Sequence, residues 1–431
     1  MSTELLDNYP KYDSYKDSSV DWLGEIPSHW QVWNSKWLFA SRKEKAQEND
    51  EQLTASQKYG VIPQKLFMDL EGRKVTTVFL NHEILKHVKK GDFVISMRSF
   101  QGGIEYCDYQ GSVSSAYVPL IPNDTIYNSF YKFLLKSKRY IEALQSTSNL
   151  VRDGQALRYD NFCMVPLVLI PLKEQKAIAD FLDTKTSQID QAIELKQQQI
   201  EKLDEYKQIT IQNAVTKGLN ANAKMKYSGV DWIGDIPEHW AVNPGMNIFS
   251  ENKRSNKGLI EDTVLSLSYG EIIIKPLENM FGLMPESFET YQIINPNDII
   301  IRCMDLQNDK KSLRTGISRY RGIITSAYLC LRVDDNYSAK FFYHYIHSLD
   351  TTKIIYKFGS GLRQNLSFRD FRRMPVVVPP IDEQILIVNK IQDVTDSIER
   401  TVLNQKKQIE RLKEYKTILI NQAVTGKIKV S

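Results

Sequence analysis

PLKEQKAIADFLDTKTSQIDQAIELKQQQIEKLDEYKQITIQNAVTKG, residues 171–218, is the stretch that decides the fold. It recurs as PIDEQILIVNKIQDVTDSIERTVLNQKKQIERLKEYKTILINQAVTG, residues 380–426. Each copy has a Pro in front, a Gly behind and neither residue inside, the punctuation of an uninterrupted helix. At ~1.5 Å per residue such a helix is a rod of roughly 65–70 Å. Ordinary globular helices run about 8–20 residues, so these are struts or halves of a coiled coil.

The apolar positions show what the rods bury. Ile189, Ile193, Ile200, Leu203 and Ala214 form a near-heptad stripe in the first. Ile391, Val394, Ile398, Val402, Ile409, Leu412, Leu419 and Ala423 form one in the second. Lys, Glu and Gln fill the other positions, leaving each rod one seam and wet sides. The nearest partner for each seam is the other copy, in an antiparallel coiled coil. An ordinary helical-hairpin core is the competing reading of the stripe alone.

A chain of 431 residues, 42% hydrophobic and 25% charged, can hold two or more well-packed domains. Its first twenty residues show no apolar run or cleavage pattern, so no signal peptide is expected. The longest apolar run, VPLVLIPL at 165–172, is too short and proline-broken to span a membrane. A cytoplasmic protein without a membrane partner is expected. Cys107, Cys163, Cys303 and Cys330 lack metal-like spacing and read as thiols of a reducing compartment. A net charge of +4 permits a nucleic-acid partner, but only through a local patch.

Outside the rods the chain also repeats, at a shift of about 210 residues. SVDWLGEIPSHWQV (19–32) returns as GVDWIGDIPEHWAV (229–242), and Tyr59-Gly60 as Tyr269-Gly270. GDFVIS from Gly91 returns loosely as NDIIIR from Asn297, and SSAY (114–117) as TSAY (325–328). Gln155-x-Leu157 followed by Phe162 returns as Gln364-x-Leu366 followed by Phe371. The order is globule (1–168), strut (169–220), globule (221–377), strut (378–431). Strand-like runs (FVISM, AYVPLI, VLSLSY, GEIIIKP, DIIIRC, AYLCLRV) and helical patches (SFYKFLLKSKRYIEALQ, AKFFYHYIHSL) make each globule α+β. The expected fold class is therefore α+β: two tandem α+β domains, two long helices in an antiparallel coiled coil, and pseudo-twofold symmetry.

One scaffold carried twice with different intervening segments suggests two related ligands read separately. Dimeric DNA-binding proteins match half-sites about one helical turn (~34–36 Å) apart, and one chain with unlike halves would imitate such a dimer. The target would be split and asymmetric. Candidate contacts are Arg73, Lys74, Arg98, Gln101, Arg152 and Arg158 in the first globule. In the second they are Gln307, Lys310, Lys311, Arg314, Arg363 and Gln364, with Arg319, Arg321, Arg369, Arg372 and Arg373 in the same basic clusters. Lys86, Lys89 and Lys90 form a further cluster in the first globule. Lys and Arg neutralise phosphates, while Arg and Gln in loops pair with base edges. In SMRSFQGG, Arg98 and Gln101 precede two glycines that would allow close backbone approach. A solvated charged surface is the competing reading.

Other chemistry finds little support. His29 and His239 beside Asp21 and Asp231 read as parts of a packed turn rather than catalysts. His344 and His347 could ligate a metal from one helix face but lack a third ligand. There is no GxxxxGK[ST] loop, GxGxxG fingerprint or NPPY-like tetrapeptide. DLEGRK (69–74) lacks the E-x-K spacing of a metal-assisted nuclease.

The W-x-G-x-I-P-x-H-W blocks (22–30, 232–240), MRSFQGG, the P-P-x-x-E-Q start at Pro379–Gln384 and the doubled order resemble the specificity subunit of type I restriction-modification systems. The first rod departs slightly, opening with Ile170-Pro171-Leu172-Lys173-Glu174-Gln175. The resemblance spans essentially the whole chain. It implies two target recognition domains, each reading half of a bipartite double-stranded DNA target, and two helical regions packed antiparallel. It implies one copy of a non-catalytic subunit joined by two modification subunits that methylate adenine N6. Two restriction subunits then complete an ATP-dependent endonuclease. S-adenosylmethionine, ATP and Mg would sit on the partners, with no cofactor or metal on this chain. A coiled-coil adaptor with two protein-binding globules is the rival class, and a self-contained nuclease or methyltransferase a third.

Overall fold

The computed structural model describes residues 9–72, 84–147, 157–275, 287–304, 313–358 and 366–430. Both long helices form, Leu172–Lys217 and Ile381–Val424. Each is followed by a glycine in the left-handed region, Gly218 (φ +76°) and Gly426 (φ +70°), which no β-carbon residue would adopt without strain.

The chain packs as two compact units, 1–196 with 406–431 and 197–405, so each long helix is shared between them. In unit 1, Lys416 meets Asp190 at 2.6 Å and Lys196 donates to Gln408 Oε1 at 2.5 Å. In unit 2, the Gln405 amide donates to Gln199 at 3.1 Å and Lys207 lies 4.0 Å from Glu399. Numbers rise along one helix as they fall along the other, so within each unit the helices run antiparallel. Every position of the two apolar stripes is buried or half-buried.

Each unit is α+β and is built from matching elements. In unit 1 a four-stranded antiparallel sheet runs Phe39–Ser41, Val118–Pro122, Phe93–Ile95, Glu105–Tyr106. In unit 2 the order is Phe249–Glu251, Leu329–Val333, Ile299–Ile301, Thr315–Ile317. Side chains alternate across a strand. Phe93 and Ile95 enter the main core, while Val94 joins a second cluster with Leu53, Val61, Val88, Cys107 and Val113. Ile299 and Ile301 likewise face one core and Ile300 the other. A central strand covered on both faces explains the unbroken apolar runs FVI and III.

Helices close the main cores. Ile178, Ala179, Leu182 and Ile189 from the first long helix meet Leu419, Ala423 and Val424 from the second in unit 1. Ile387 and Ile391 meet Ile211, Ala214 and Val215 in unit 2. The helical patch at 129–145 splits into Asn128–Leu134 and Lys138–Ser146. The break serves the neighbouring strand, because the Leu135 carbonyl accepts the Ile104 N–H at 3.2 Å. AKFFYHYIHSL forms one helix, Ala339–Thr351. A helix absent from the sequence reading, Gln64–Glu71, is stopped by Gly72 in the left-handed region.

The repeated motifs meet at the start of each long helix. Glu174 accepts from the buried Trp30 indole at 3.1 Å and from the Tyr12 hydroxyl at 2.5 Å, and its other oxygen lies 2.8 Å from His29 Nε2. Glu383 meets both Trp240 and His239 through one oxygen, Oε2, each at 2.8 Å. The glutamines that follow are fully buried. Gln175 takes the Tyr127 N–H and donates to the Thr125 and Ile170 carbonyls. Gln384 takes the Ser338 N–H and donates to the Pro379 carbonyl. The histidines therefore satisfy a packed turn, as their sequence context implies.

Two outcomes test this packing. Glu174→Ala leaves the Trp30 N–H buried without its acceptor, a cost of about 1–3 kcal/mol. Amide exchange should quicken around residues 12–30 and not around Trp240, with Glu383→Ala giving the reverse; unaltered exchange in both would contradict the clamp. The second concerns His347, whose Nδ1 lies 2.9 Å from Thr315 Oγ1. Burial, reinforced by Lys207, holds its pKa at about 4 against an ordinary 6.5. The unfolded chain takes up that proton below about pH 6.5 and the fold refuses it until about 4, so stability falls as pH drops through that window. Urea midpoints of the wild type should decline from pH 7 to 4 more steeply than those of His347→Gln.

Candidate nucleic-acid interface

In each unit, two antiparallel strands mark where a long segment leaves the frame and returns. Gln31–Trp33 pairs with Leu167–Leu169, and Ala241–Pro244 with Pro375–Val378. Just beyond them the Ser35 hydroxyl donates to the Val165 carbonyl, and the Gly245 N–H to the Met374 carbonyl at 2.9 Å. An α-carbon substituent at Gly245 would strike the Phe371 carbonyl, so the pinch requires a glycine there. Everything between these pinches is a segment carried on a fixed base.

The loop after the central strand carries the first candidates. Ser96 N–H donates to Ser99 Oγ at 2.8 Å, and the N–H groups of Gln101 and Gly102 return to the Arg98 carbonyl at 2.8 and 3.1 Å. This tight turn leaves the Arg98 and Gln101 side chains exposed. The two glycines make close approaches within the domain itself. A β-carbon on Gly102 would collide with the Gln57 side chain and one on Gly103 with the Leu135 carbonyl. They let the loop settle closely on its own domain.

Beside Arg98 lies the repeated SSAY turn, whose Tyr117 feels the Arg98 charge although burial raises its pKa overall. Ser114 and Thr325 each fold their tetrapeptide with the same hydroxyl-capped turn, accepting from Ala116 and Ala327 N–H at 3.3 Å. Ser115 and Ala116, like Ser326 and Ala327, are left exposed. The base of the turn is held by Lys86, which donates to the Tyr117 carbonyl at 2.6 Å, and by Gln292, which donates to the Tyr328 carbonyl at 2.7 Å. Lys86 is thus engaged inside the fold, and burial lowers its pKa. These turns are legible as repeats but not as neighbours of Arg98.

The other candidates divide clearly. Arg158 is exposed at the start of the helix Tyr159–Cys163, its N–H held by Asn161 Oδ1 at 3.1 Å. Arg314 corrects the surface reading, being only 8% exposed. Its N–H donates to Asp350 at 3.0 Å and its guanidinium to the Met304 carbonyl at 2.5 Å, so it braces the fold. Arg321 is paired with Glu261 at 3.0 Å. Arg73, Lys74, Arg152, Gln307, Lys310, Lys311, Arg363 and Gln364 lie outside the described residues.

Among the described residues no group of three His, Cys, Asp or Glu is arranged to hold a metal. Burial pushes the Cys107 and Cys303 thiols up to about 12, so neither is a ready thiolate. No described helix is long and apolar enough to cross a membrane. The exposed groups are guanidiniums, amides and hydroxyls on short braced turns, the donors and acceptors that meet phosphates and base edges.

Comparison with known proteins agrees with this chemistry. The chain is 23% identical to the type I restriction enzyme MjaVIII specificity subunit of Methanocaldococcus jannaschii, over 81% of each chain. It is 22% identical to the type I restriction enzyme EcoKI specificity subunit of Escherichia coli, over 78% of this chain and 75% of that one. In fold it resembles a chain solved in work on complex assembly and conformational transition of the type I R-M system, with a TM-score of 0.66 and 12% identity over 93% of this chain and 98% of that one. It also resembles the HsdS subunit from Thermoanaerobacter tengcongensis, with a TM-score of 0.55 and 14% identity over 94% of this chain and 98% of that one. Residues 27–205 and 285–411 match the type I restriction modification DNA specificity domain, so the chain belongs to the family of type I restriction-modification specificity subunits.

Proposed function

We propose that this chain reads a bipartite, asymmetric double-stranded DNA target for a larger assembly, one half per target recognition domain. The first domain is assigned to residues 1–168 and the second to 221–377, with helical regions at 169–220 and 378–431. One observation carries the reading: the frame repeats down to its Glu–Trp–His clamp, whereas exposed cations of the inserted segments, Arg158 in unit 1 or Arg369 and Arg372 in unit 2, do not. Equal frames with unequal contact residues suit two different half-sites. Arg98, Gln101 and Arg158 are the described candidates for contact in unit 1. Arg73, Lys74, Arg152, Gln307, Lys310, Lys311, Arg363 and Gln364 remain proposed on charge and position.

The charged outer sides of the long helices suit docking of partner subunits. We assign these as two modification subunits carrying S-adenosylmethionine for adenine-N6 methylation and two restriction subunits using ATP and Mg, around one copy of this chain. Catalysis then belongs to the partners, and this chain supplies position and sequence choice in the cytoplasm.

Methylome mapping of cells expressing the chain with its modification subunit tests the reading. Replacing residues 35–165 by the corresponding segment of another family member should change one half of the methylated motif and leave the other intact. A motif changed in both halves would overturn the one-half-per-domain assignment. Arg98→Ala should reduce discrimination between the target and a single-base variant by about 1–3 kcal/mol in competition binding. Unchanged discrimination would remove Arg98 from the readers.

A further inference from the structure

We infer that unit 2 holds DNA through a phosphate grip on the helix Phe368–Arg373 that unit 1 does not possess. This rests on the DNA-reading function proposed above and adds an inequality between the two halves. Arg369, Arg372 and Arg373 are all exposed and, at spacings of three and four, share one side of a single helical turn. With Lys253, Glu251, Met246 and Phe368 they line one open cavity. The carboxylates nearby are already engaged. Glu251 pairs with Lys253 at 3.0 Å. Asp370 caps its own helix, accepting the Ser367 N–H and hydroxyl, both at 2.8 Å. Among the described residues no ion pair neutralises any of the three guanidiniums.

The fold does not require these arginines. Phe371 supplies the buried contact of the helix, and Ser367 with Asp370 supplies its cap. The matching helix of unit 1, Tyr159–Cys163, buries Phe162 in the same way and uses Asn161 in place of Asp370. Where unit 2 has Arg369, Arg372 and Arg373, unit 1 has Asp160, Cys163 and Met164. The same scaffold stands in unit 1 without these three charges, carrying only Arg158 at its start where unit 2 has Ser367, so the added charge answers to a ligand. Three guanidiniums on one turn, without an ion pair among the described residues and shaped for fork-like hydrogen bonding, fit successive phosphates of a duplex better than a compact anion.

The test uses the full chain in complex with its modification subunit. Binding to a labelled duplex carrying the methylated motif, and to a scrambled duplex, is followed across a salt series. In R369Q/R372Q/R373Q, affinity should fall by a similar factor for both duplexes. The slope of log K against log salt should become shallower by about 2–3, at ~0.9 for each phosphate no longer neutralised. R369K/R372K/R373K should keep most of the slope, which separates charge from misfolding. An unchanged slope in the glutamine variant would overturn the grip and assign the face to a protein partner or to none. If the wild-type complex itself bound DNA without salt dependence or motif preference, the DNA-reading function would fail, and the grip with it.

Discussion

One carboxylate in each unit, Glu174 or Glu383, ties the first turn of a long helix to a tryptophan sealed in the core. Its position just after the helix start suits a negative charge, since unpaired N–H groups and the helix dipole converge there. The neighbouring glutamine fastens the same turn to the loop before the domain's central helix. Because the far end of the other long helix packs on that tryptophan through Gly218 or Gly426, the clamp fixes three parts of the frame at once. The repeated sequence blocks are best understood as the two faces of this joint.

With the frame fixed, the segments it carries are free to differ. Asp92 and Asp298 show how far the equivalence reaches and where it stops. Each holds its turn by accepting a backbone N–H, from Lys89 at 2.9 Å and Asn295 at 2.8 Å. Yet Asp92 then takes the buried Arg42 guanidinium in two bonds, whereas Asp298 takes the Asn252 amide and the exposed Arg332. The backbone solution is shared and the side-chain solution is not. That is the condition under which one architecture presents two chemistries.

The rods, the α+β class and the central strands are legible in the sequence because their signals are periodic: a heptad stripe without Pro or Gly, and short apolar runs between turn residues. Burial of a charged residue leaves no such mark. Arg314 sits in a polar, basic stretch and reads as surface, but its guanidinium turns in to the Met304 carbonyl while its backbone N–H bonds Asp350, remote in sequence. Gly102 and Gly103 signal close approach, while the object approached, Gln57 and Leu135, depends on tertiary packing. The short strands Tyr15–Asp17 and Glu25–Pro27 are invisible in the sequence because their pairing, not their composition, defines them. Contact residues are harder still, since a loop arginine looks alike whether it meets solvent, a carboxylate or a phosphate.

The sharing of the long helices has a consequence for how the polypeptide matures on the ribosome. Unit 1 encloses Leu419, Ala423 and Val424, and the Lys429 N–H reaches back to the Pro10 carbonyl at 2.7 Å. Unit 2 draws only on residues 197–405. The domain encoded first must therefore wait, its apolar floor uncovered, until the domain encoded second has been translated in full. At ~5–20 residues per second that wait lasts roughly ten seconds or more, far longer than an individual helix needs to form. The earlier half therefore cannot close its core before the end of the second rod has been made, a departure from strictly vectorial folding.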